Sequence, residues 1–146
     1  MRYLVAIDFS GPSVAALDTA RALAAKSQGM VTLAHVRAAS DIRAAVAEEL
    51  TSALKLKSPA LKDVLAAHYA ARLAAIGKPG ETVVILKGRA ATELAKAARK
   101  GHDVLVMGTR GRGGVTAALL GSTVQELLSI SPIPVLVVGE GAARSR

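Results

Sequence analysis

Short apolar runs alternate with alanine-rich stretches of helical period along this chain, and that alternation restricts the fold more than any other feature. Five runs read as strands: Tyr3 to Ile7, Met30 to Val36, Thr82 to Leu86, Val104 to Met107 and Pro134 to Val138. Several are almost unbroken Val, Ile and Leu, the pattern of strands buried on both faces. Between them, Ala91, Leu94, Ala95 and Ala98 recur at i, i+3, i+4, i+7. Leu120, Val124, Leu127 and Leu128 repeat the pattern with larger side chains, and Ala16, Leu17, Ala20, Leu23 and Ala24 form the apolar face of a first helix. Strand, helix and strand in repetition predict crossover connections and a parallel sheet covered on both sides.

The punctuation agrees. Ser10-Gly11-Pro12-Ser13 opens the first helix and Gly29 closes it. Gly101 ends the third helix, while Pro132 and Pro134 stop the last one and launch the final strand. The stretch from Ser40 to Ile76 is helical in character, with a break at Ser58-Pro59. No repeat or linker divides the 146 residues, so the expectation is one doubly wound α/β domain over 1–139 and a short basic tail over 140–146 that carries Arg144 and Arg146.

Composition narrows the function. The absence of cysteine removes disulfides, thiolate metal sites and cysteine nucleophiles together, and fits a reducing cytoplasm. Only Tyr3, Phe9 and Tyr69 are aromatic, too few for a surface that stacks single-stranded nucleic acid. No apolar run approaches 18 residues, so the chain reads as soluble, cytoplasmic and free of the membrane. The net charge of +8 favours an anionic partner. Its basic residues are dispersed and no base-reading module is present, so nucleic acid is not the expected anion. His35, His68 and His102 sit on separate elements without metal-ligand spacing: His35 reads as an interior or edge histidine, the others as surface residues. Lys55, Lys57 and Lys62 read as a solvated face.

In doubly wound sheets, ligands bind beyond the carboxyl ends of the strands, where the winding reverses. The residues to read are therefore Asp8, Val36 to Ala38, Gly88, and Gly108 onward. The last segment runs Gly108-Thr109-Arg110-Gly111-Arg112-Gly113-Gly114-Val115, followed by Gly121-Ser122-Thr123. Its glycines permit positive φ and close backbone approach, successive N–H groups can cradle an anion, and Arg110 and Arg112 add two cations. A tight turn with solvated arginines is the other reading of the same residues. A Walker A loop is excluded, since no Gly-Lys-Ser/Thr triplet occurs, and no acidic residue stands where a dinucleotide site would hold a ribose. Asp8 has two readings as well, a ligand contact or a structural acceptor and cap for the helix starting near Ser13.

Gly108-x2-Gly111-x9-Gly121-Ser122 resembles the Gly-x2-Gly-x9-Gly-Ser/Thr signature of the ATP-binding branch of the universal stress protein family. Val5-Ala6-Ile7-Asp8-Phe9-Ser10 looks like that family's opening strand, Leu33-Ala34-His35-Val36 like its second, and Gly88-Arg89-Ala90-Ala91-Thr92-Glu93 like the start of its helix after strand three. Ser131-Pro132-Ile133-Pro134-Val135-Leu136-Val137-Val138 looks like its closing strand. Together these span nearly the whole chain in order; Ser40 to Lys78 carries no family motif.

The resemblance implies a five-stranded parallel sheet in the order 3-2-1-4-5, of the adenine nucleotide alpha hydrolase-like type, and a homodimer formed through the last strand. It implies ATP, with AMP or ADP as alternatives, in a cleft between the ends of strands one and four. Ala6, Asp8 and Val36 would line the adenine end; Met107, Gly108 and Arg110 would border the ribose. Gly111, Arg112, Gly113, Gly121, Ser122, Thr123 and Val124 would surround the phosphates. Gly108 and Gly111 would admit phosphate oxygens to backbone nitrogens. Mg²⁺ or Mn²⁺ would be carried by phosphate oxygens and water, since the sequence has no acidic cluster for a protein cage. Arg110 stands where family members often carry a histidine or another polar residue. Two functions remain: a nucleotide-responsive regulatory dimer that signals to an unidentified protein partner, or a slow ATPase or phosphoryl-transfer enzyme. The second needs a residue to position water, and none can be named.

Overall fold

The computed structural model describes residues 1–37, 58–109 and 120–139, with side chains for all of these except 58–65. Its strands are β1 (Arg2–Ala6), β2 (Met30–Arg37), β3 (Thr82–Lys87), β4 (Val104–Gly108) and β5 (Val135–Val138). Its helices are α1 (Gly11–Ser27), α2 (Ser58–Ile76), α3 (Ala90–Ala98) and α4 (Ser122–Ile130). Each strand begins and ends within one residue of the run read from the sequence. The sheet is parallel throughout, in the order β3-β2-β1-β4-β5. This is the doubly wound α/β fold expected from the alternation.

Alternate residues of each strand feed two separate cores. Tyr3, Val5 and Ile7 pack with Leu33 and Val106 against Ala16, Leu17 and Ala20 of α1 and Leu73 of α2. On the opposite face, Leu4, Ala34, Leu105 and Met107 meet Leu94, Ala95 and Ala98 of α3 and Val124 and Leu127 of α4. Both cores are built on leucines: Leu4, Leu17, Leu33, Leu73, Leu105 and Leu127 are fully buried. Burying each contributes about 1.5–3 kcal/mol relative to exposure.

The helix ends are specified locally. Ser10 caps α1 from an extended conformation, its side-chain oxygen accepting the Ser13 N–H at 3.4 Å, and Pro12 occupies the first turn. The left-handed residue that ends α1 is Gln28 (φ 49°, ψ 39°), not Gly29 as the sequence suggested. Gly29 follows it and donates its N–H to the Ala24 carbonyl at 2.8 Å, the arrangement of a Schellman closure. A side chain at 29 is excluded by packing, since a Cβ would lie 2.5 Å from the Met1 carbonyl oxygen. Helix α2 is described from Ser58; the earlier part of that helical reading, 40–57, lies outside the described residues, as does the tail 140–146.

Helix α4 departs from its expected apolar stripe. Val124 and Leu127 are buried, but Leu120 precedes the helix and Leu128 is half exposed at 52%. One residue around the helix from Leu127, Leu128 turns away from the sheet. At the amino-terminal end of the sheet, Arg21 of α1 donates from Nε and Nη2 to both carboxylate oxygens of Glu81, at 2.7 and 2.8 Å, and from Nη2 to the Ile76 carbonyl at the end of α2. One guanidinium thus ties α1, α2 and the residue before β3.

Candidate functional site at the carboxyl ends of the strands

Winding reverses at β1, whose neighbours are β2 and β4. The chain leaves β1 through Ile7, whose N–H still pairs with the Ala34 carbonyl at 2.8 Å, and then turns at Asp8-Phe9-Ser10. Asp8 is half-buried and organises this corner: its Oδ1 accepts the Ser10 N–H at 3.0 Å and the Ser10 hydroxyl. An aspartate bonding the backbone two residues on is an Asx turn. The cap of α1 is therefore Ser10, with Asp8 bracing it. Ser13 completes the corner, its hydroxyl donating to the Ser10 carbonyl at 2.9 Å. Phe9 between them takes φ 65°, a left-handed conformation rarely adopted by bulky residues.

Strand β4 ends at Gly108, which is buried. A Cβ on Gly108 would stand 2.6 Å from the carbonyl carbon and Cβ of Pro12 and 2.8 Å from the Pro12 oxygen. This gives Gly108 a structural reason beside the ligand approach expected from the sequence. Its missing side chain makes room for the first turn of α1, a packing requirement independent of any phosphate, and its φ is not positive. Beyond it, Thr109 donates its N–H to the Val138 carbonyl at 2.9 Å and accepts the Gly121 N–H at 3.0 Å. Thr109 thereby pins the start of α4 to the end of β4.

The start of α4 is electrostatically distinct. Helix N-termini carry amides without an intrahelical acceptor and the positive end of the macrodipole. In α1 the Ser10 side chain answers this, and in α3 the first turn contains Glu93. The N-cap of α4 is Gly121 (φ −60°, ψ 151°), with no side-chain cap and no acidic residue in the first turn. Among these three helices only α4 has neither device. Ser122 is exposed and Thr123 half-exposed, so two hydroxyls accompany the open amides.

The sequence-predicted residues divide as follows. Met107 and Val124 are buried in the α3/α4 core, and Ala6 and Val36 pack against it, which brings four of the expected positions into one cluster at the top of the sheet. The side chains of Met107 and Val124 are committed to packing, leaving backbone contact as their route to a ligand. Asp8 occupies the β1 corner, and Gly121, Ser122 and Thr123 form the start of α4. Arg110, Gly111, Arg112 and Gly113 lie outside the described residues.

At this end the sequence gives Ser10 and Ser13 as the opening of α1 but assigns no role to Thr109 or Phe9 and does not show the bonds that tie Ser10 and Ser13 to the corner. Thr109 and the Ser10-Ser13 pair act through backbone bonds, for which the Asp8-x-Ser10 spacing was the available signal. Phe9 gave none. His35 is interior, as read: it is 3% exposed, and its Nδ1–H donates to the Ile7 carbonyl at 2.7 Å. His68 is exposed; His102, read as a surface residue, is half-buried and donates from Nδ1 to the Ala97 carbonyl at 3.0 Å beyond α3. Among the described residues, no three His, Asp or Glu come together to hold a metal ion, and no helix is long and apolar enough to cross a membrane. A groove of about 450 Å³ lies at the opposite end of the sheet, lined by Arg21, Gln28, Met30, Lys78 and Glu81. The guanidinium in it is already bound to Glu81.

The comparisons with known proteins agree with this fold. Residues 1–139 match the model of the Universal stress protein family. The chain is 30% identical to universal stress protein YxiE of Bacillus subtilis (strain 168), over 94% of its own length and 97% of that protein's. It is 42% identical to a universal stress protein of Thermus aquaticus encoded in the QAH/OAS sulfhydrylase 3′ region, in a match covering 45% of this chain and about half (49%) of that one. The structure of the hypothetical protein MJ0577, studied for structure-based assignment of its biochemical function, superposes with a TM-score of 0.75 at 28% identity over 94% of both chains. A universal stress protein solved in complex with cAMP superposes with a TM-score of 0.60 at 24% identity, covering 96% and 97% of the two chains.

Proposed function

This chain belongs to the universal stress protein family, and from that premise we propose that it is a cytoplasmic, nucleotide-responsive regulatory protein that binds ATP at the carboxyl ends of β1 and β4, with AMP or ADP as competitors. The observation that carries the reading is the uncapped, acid-free start of α4, fixed to the end of β4 by the Thr109–Gly121 bond. An anion is the natural complement of such a terminus. The amides and hydroxyls of Ser122 and Thr123 suit phosphate oxygens, and Gly121 keeps their approach clear. Arg110, Gly111, Arg112 and Gly113 complete the phosphate side on the strength of the sequence motif. Mg²⁺ or Mn²⁺ would enter on the phosphates.

At the other end of the ligand, Ala6 and Val36 supply apolar surface for the base, and Met107 and Gly108 border the ribose through their backbone. The Asp8 carboxylate suits the hydrogen-bond donors of adenine or ribose, because close to phosphate it would be repelled. A relative of the same fold is known in complex with cAMP, so an adenine nucleotide is a ligand for at least one member.

Dimerisation through β5 belongs to the same proposal. Val135, Leu136 and Val137 of this edge strand are only half-buried, and the helix leading to it exposes Leu128 and Ile130. An exposed apolar edge is the kind of surface a second copy covers. Nucleotide occupancy and dimer surface would then be read together by a protein partner. Mass spectrometry of nucleotide released from freshly purified protein tests the reading. An adenine nucleotide approaching one per chain supports it; no bound nucleotide together with no uptake of added ATP contradicts it.

A further inference from the structure

We infer that Phe9 and His35 are positioning residues for the Asp8 corner, and that Arg72 and Tyr69 of α2 clamp them, so that the seating of α2 regulates nucleotide affinity. This inference rests on the nucleotide reading above and adds a regulatory element to it. Asp8 is held from both sides. Before it, the Ile7 carbonyl accepts the His35 Nδ1–H at 2.7 Å. After it, Phe9 is fixed at φ 65°. A bulky residue keeps that conformation only where its surroundings over-determine it, and such residues concentrate at ligand clamps and switches.

The surroundings of Phe9 are specific. Its ring lies 5.0 Å from that of His35 and 6.2 Å from that of Tyr69, nearly parallel to the latter at 17°. His35 and Tyr69 are 4.4 Å apart, closing a triangle of rings. Over the Phe9 ring sits the Arg72 guanidinium, its Cζ 3.9 Å from the ring centroid, a cation–π contact. Tyr69 and Arg72 belong to α2, Phe9 to the β1–α1 corner and His35 to β2. Three elements thus converge on the ring of Phe9, the residue after Asp8. If α2 shifts, the Phe9 ring loses its cover and φ 65° loses its support. The corner would then relax, and Asp8 would leave the geometry that receives the nucleotide.

The chain has two tyrosines, so a Tyr3→Phe background leaves Tyr69 as the only one. With 3-fluorotyrosine incorporated, its ¹⁹F resonance reports the ring cluster directly. In that background, ATP should shift the Tyr69 resonance. Arg72→Met should abolish that shift and weaken ATP binding about two- to five-fold, the scale of a cation–π contact near the surface. Arg72→Lys should restore much of both, because the cation returns. Arg72 is exposed, and circular dichroism of these variants should match the parent. Phe9→Leu, which keeps apolar bulk without the aromatic face, should reproduce the loss seen with Arg72→Met. Unchanged ATP affinity in Arg72→Met and Phe9→Leu alongside normal binding by the parent overturns this inference alone. Failure of the parent to bind ATP overturns the nucleotide reading and this inference with it.

Discussion

Gly108 and Pro12 approach so closely that a Cβ on the glycine would lie 2.6 Å from the proline carbonyl carbon. The contact joins the end of β4 to the first turn of α1, beside the Asp8 corner. Backbone atoms cannot retreat as a flexible side chain would. Gly108→Ala should therefore destabilise the protein by about 1–3 kcal/mol, read as a lower midpoint in urea. An unchanged midpoint would mean that α1 is not seated against β4 as described.

The open start of α4 makes an opposed pair of expectations. Ser122→Glu places a carboxylate in the first turn, where it complements the helix dipole and should stabilise the fold by about 0.3–1 kcal/mol. The same charge should repel phosphate and weaken ATP binding at least about ten-fold, roughly 1.4 kcal/mol. Thermal melts and titration calorimetry on one preparation check both signs. Loss of stability together with loss of binding would point to simple disruption instead.

At the far end of the sheet, the Arg21–Glu81 pair predicts a pH dependence. The two hydrogen bonds from Arg21 hold the Glu81 carboxyl below the usual glutamate range, with burial opposing and the Lys78 N–H assisting. A carboxyl whose folded pKa is depressed contributes stability above its unfolded pKa and loses it as pH falls through the folded value. Glu81→Gln should therefore cost about 1–2 kcal/mol near neutrality. Its deficit relative to the parent should shrink as pH drops below the ordinary glutamate range. A deficit independent of pH would assign the loss to packing.

Much of this architecture is legible in the residues themselves. The Val, Ile and Leu runs located all five strands because strands buried on both faces have little else to be made of. Ser10 with Pro12 marks the start of α1 because its chemistry is local. The rest depends on tertiary context. Gly29 and Gly108 also answer to packing that their spacing does not reveal, since Met1 and Pro12, respectively, exclude their side chains. Leu128 fits the helical period yet faces outward, since periodicity identifies a stripe without giving its width. Phe9 at φ 65° is invisible in sequence, because no local preference places a phenylalanine there; its packing against the core, the rings of His35 and Tyr69 and the Arg72 cation are tertiary. Of the expected site, Gly121-Ser122 stands at the start of α4; the open dipole there emerges only when α4 is compared with α1 and α3.

Turnover separates a regulator from an enzyme at the same cleft. Fast phosphoryl transfer requires a group that orients the attacking water. Of the described histidines, His35 and His102 each commit Nδ1 to a backbone carbonyl. Phosphate release from saturating Mg-ATP should stay at the level of a protein-free control. A clear excess that Ser122→Glu abolishes would assign slow ATP hydrolysis to this cleft.

Titration of the purified, nucleotide-free protein with Mg-ATP in a calorimeter tests the central claim most directly. Saturable binding of one ATP per chain, severely weakened by Gly121→Val while circular dichroism keeps its α/β form, is the predicted result. Heats indistinguishable from dilution in the parent protein, or equal affinity in parent and variant, would contradict the claim.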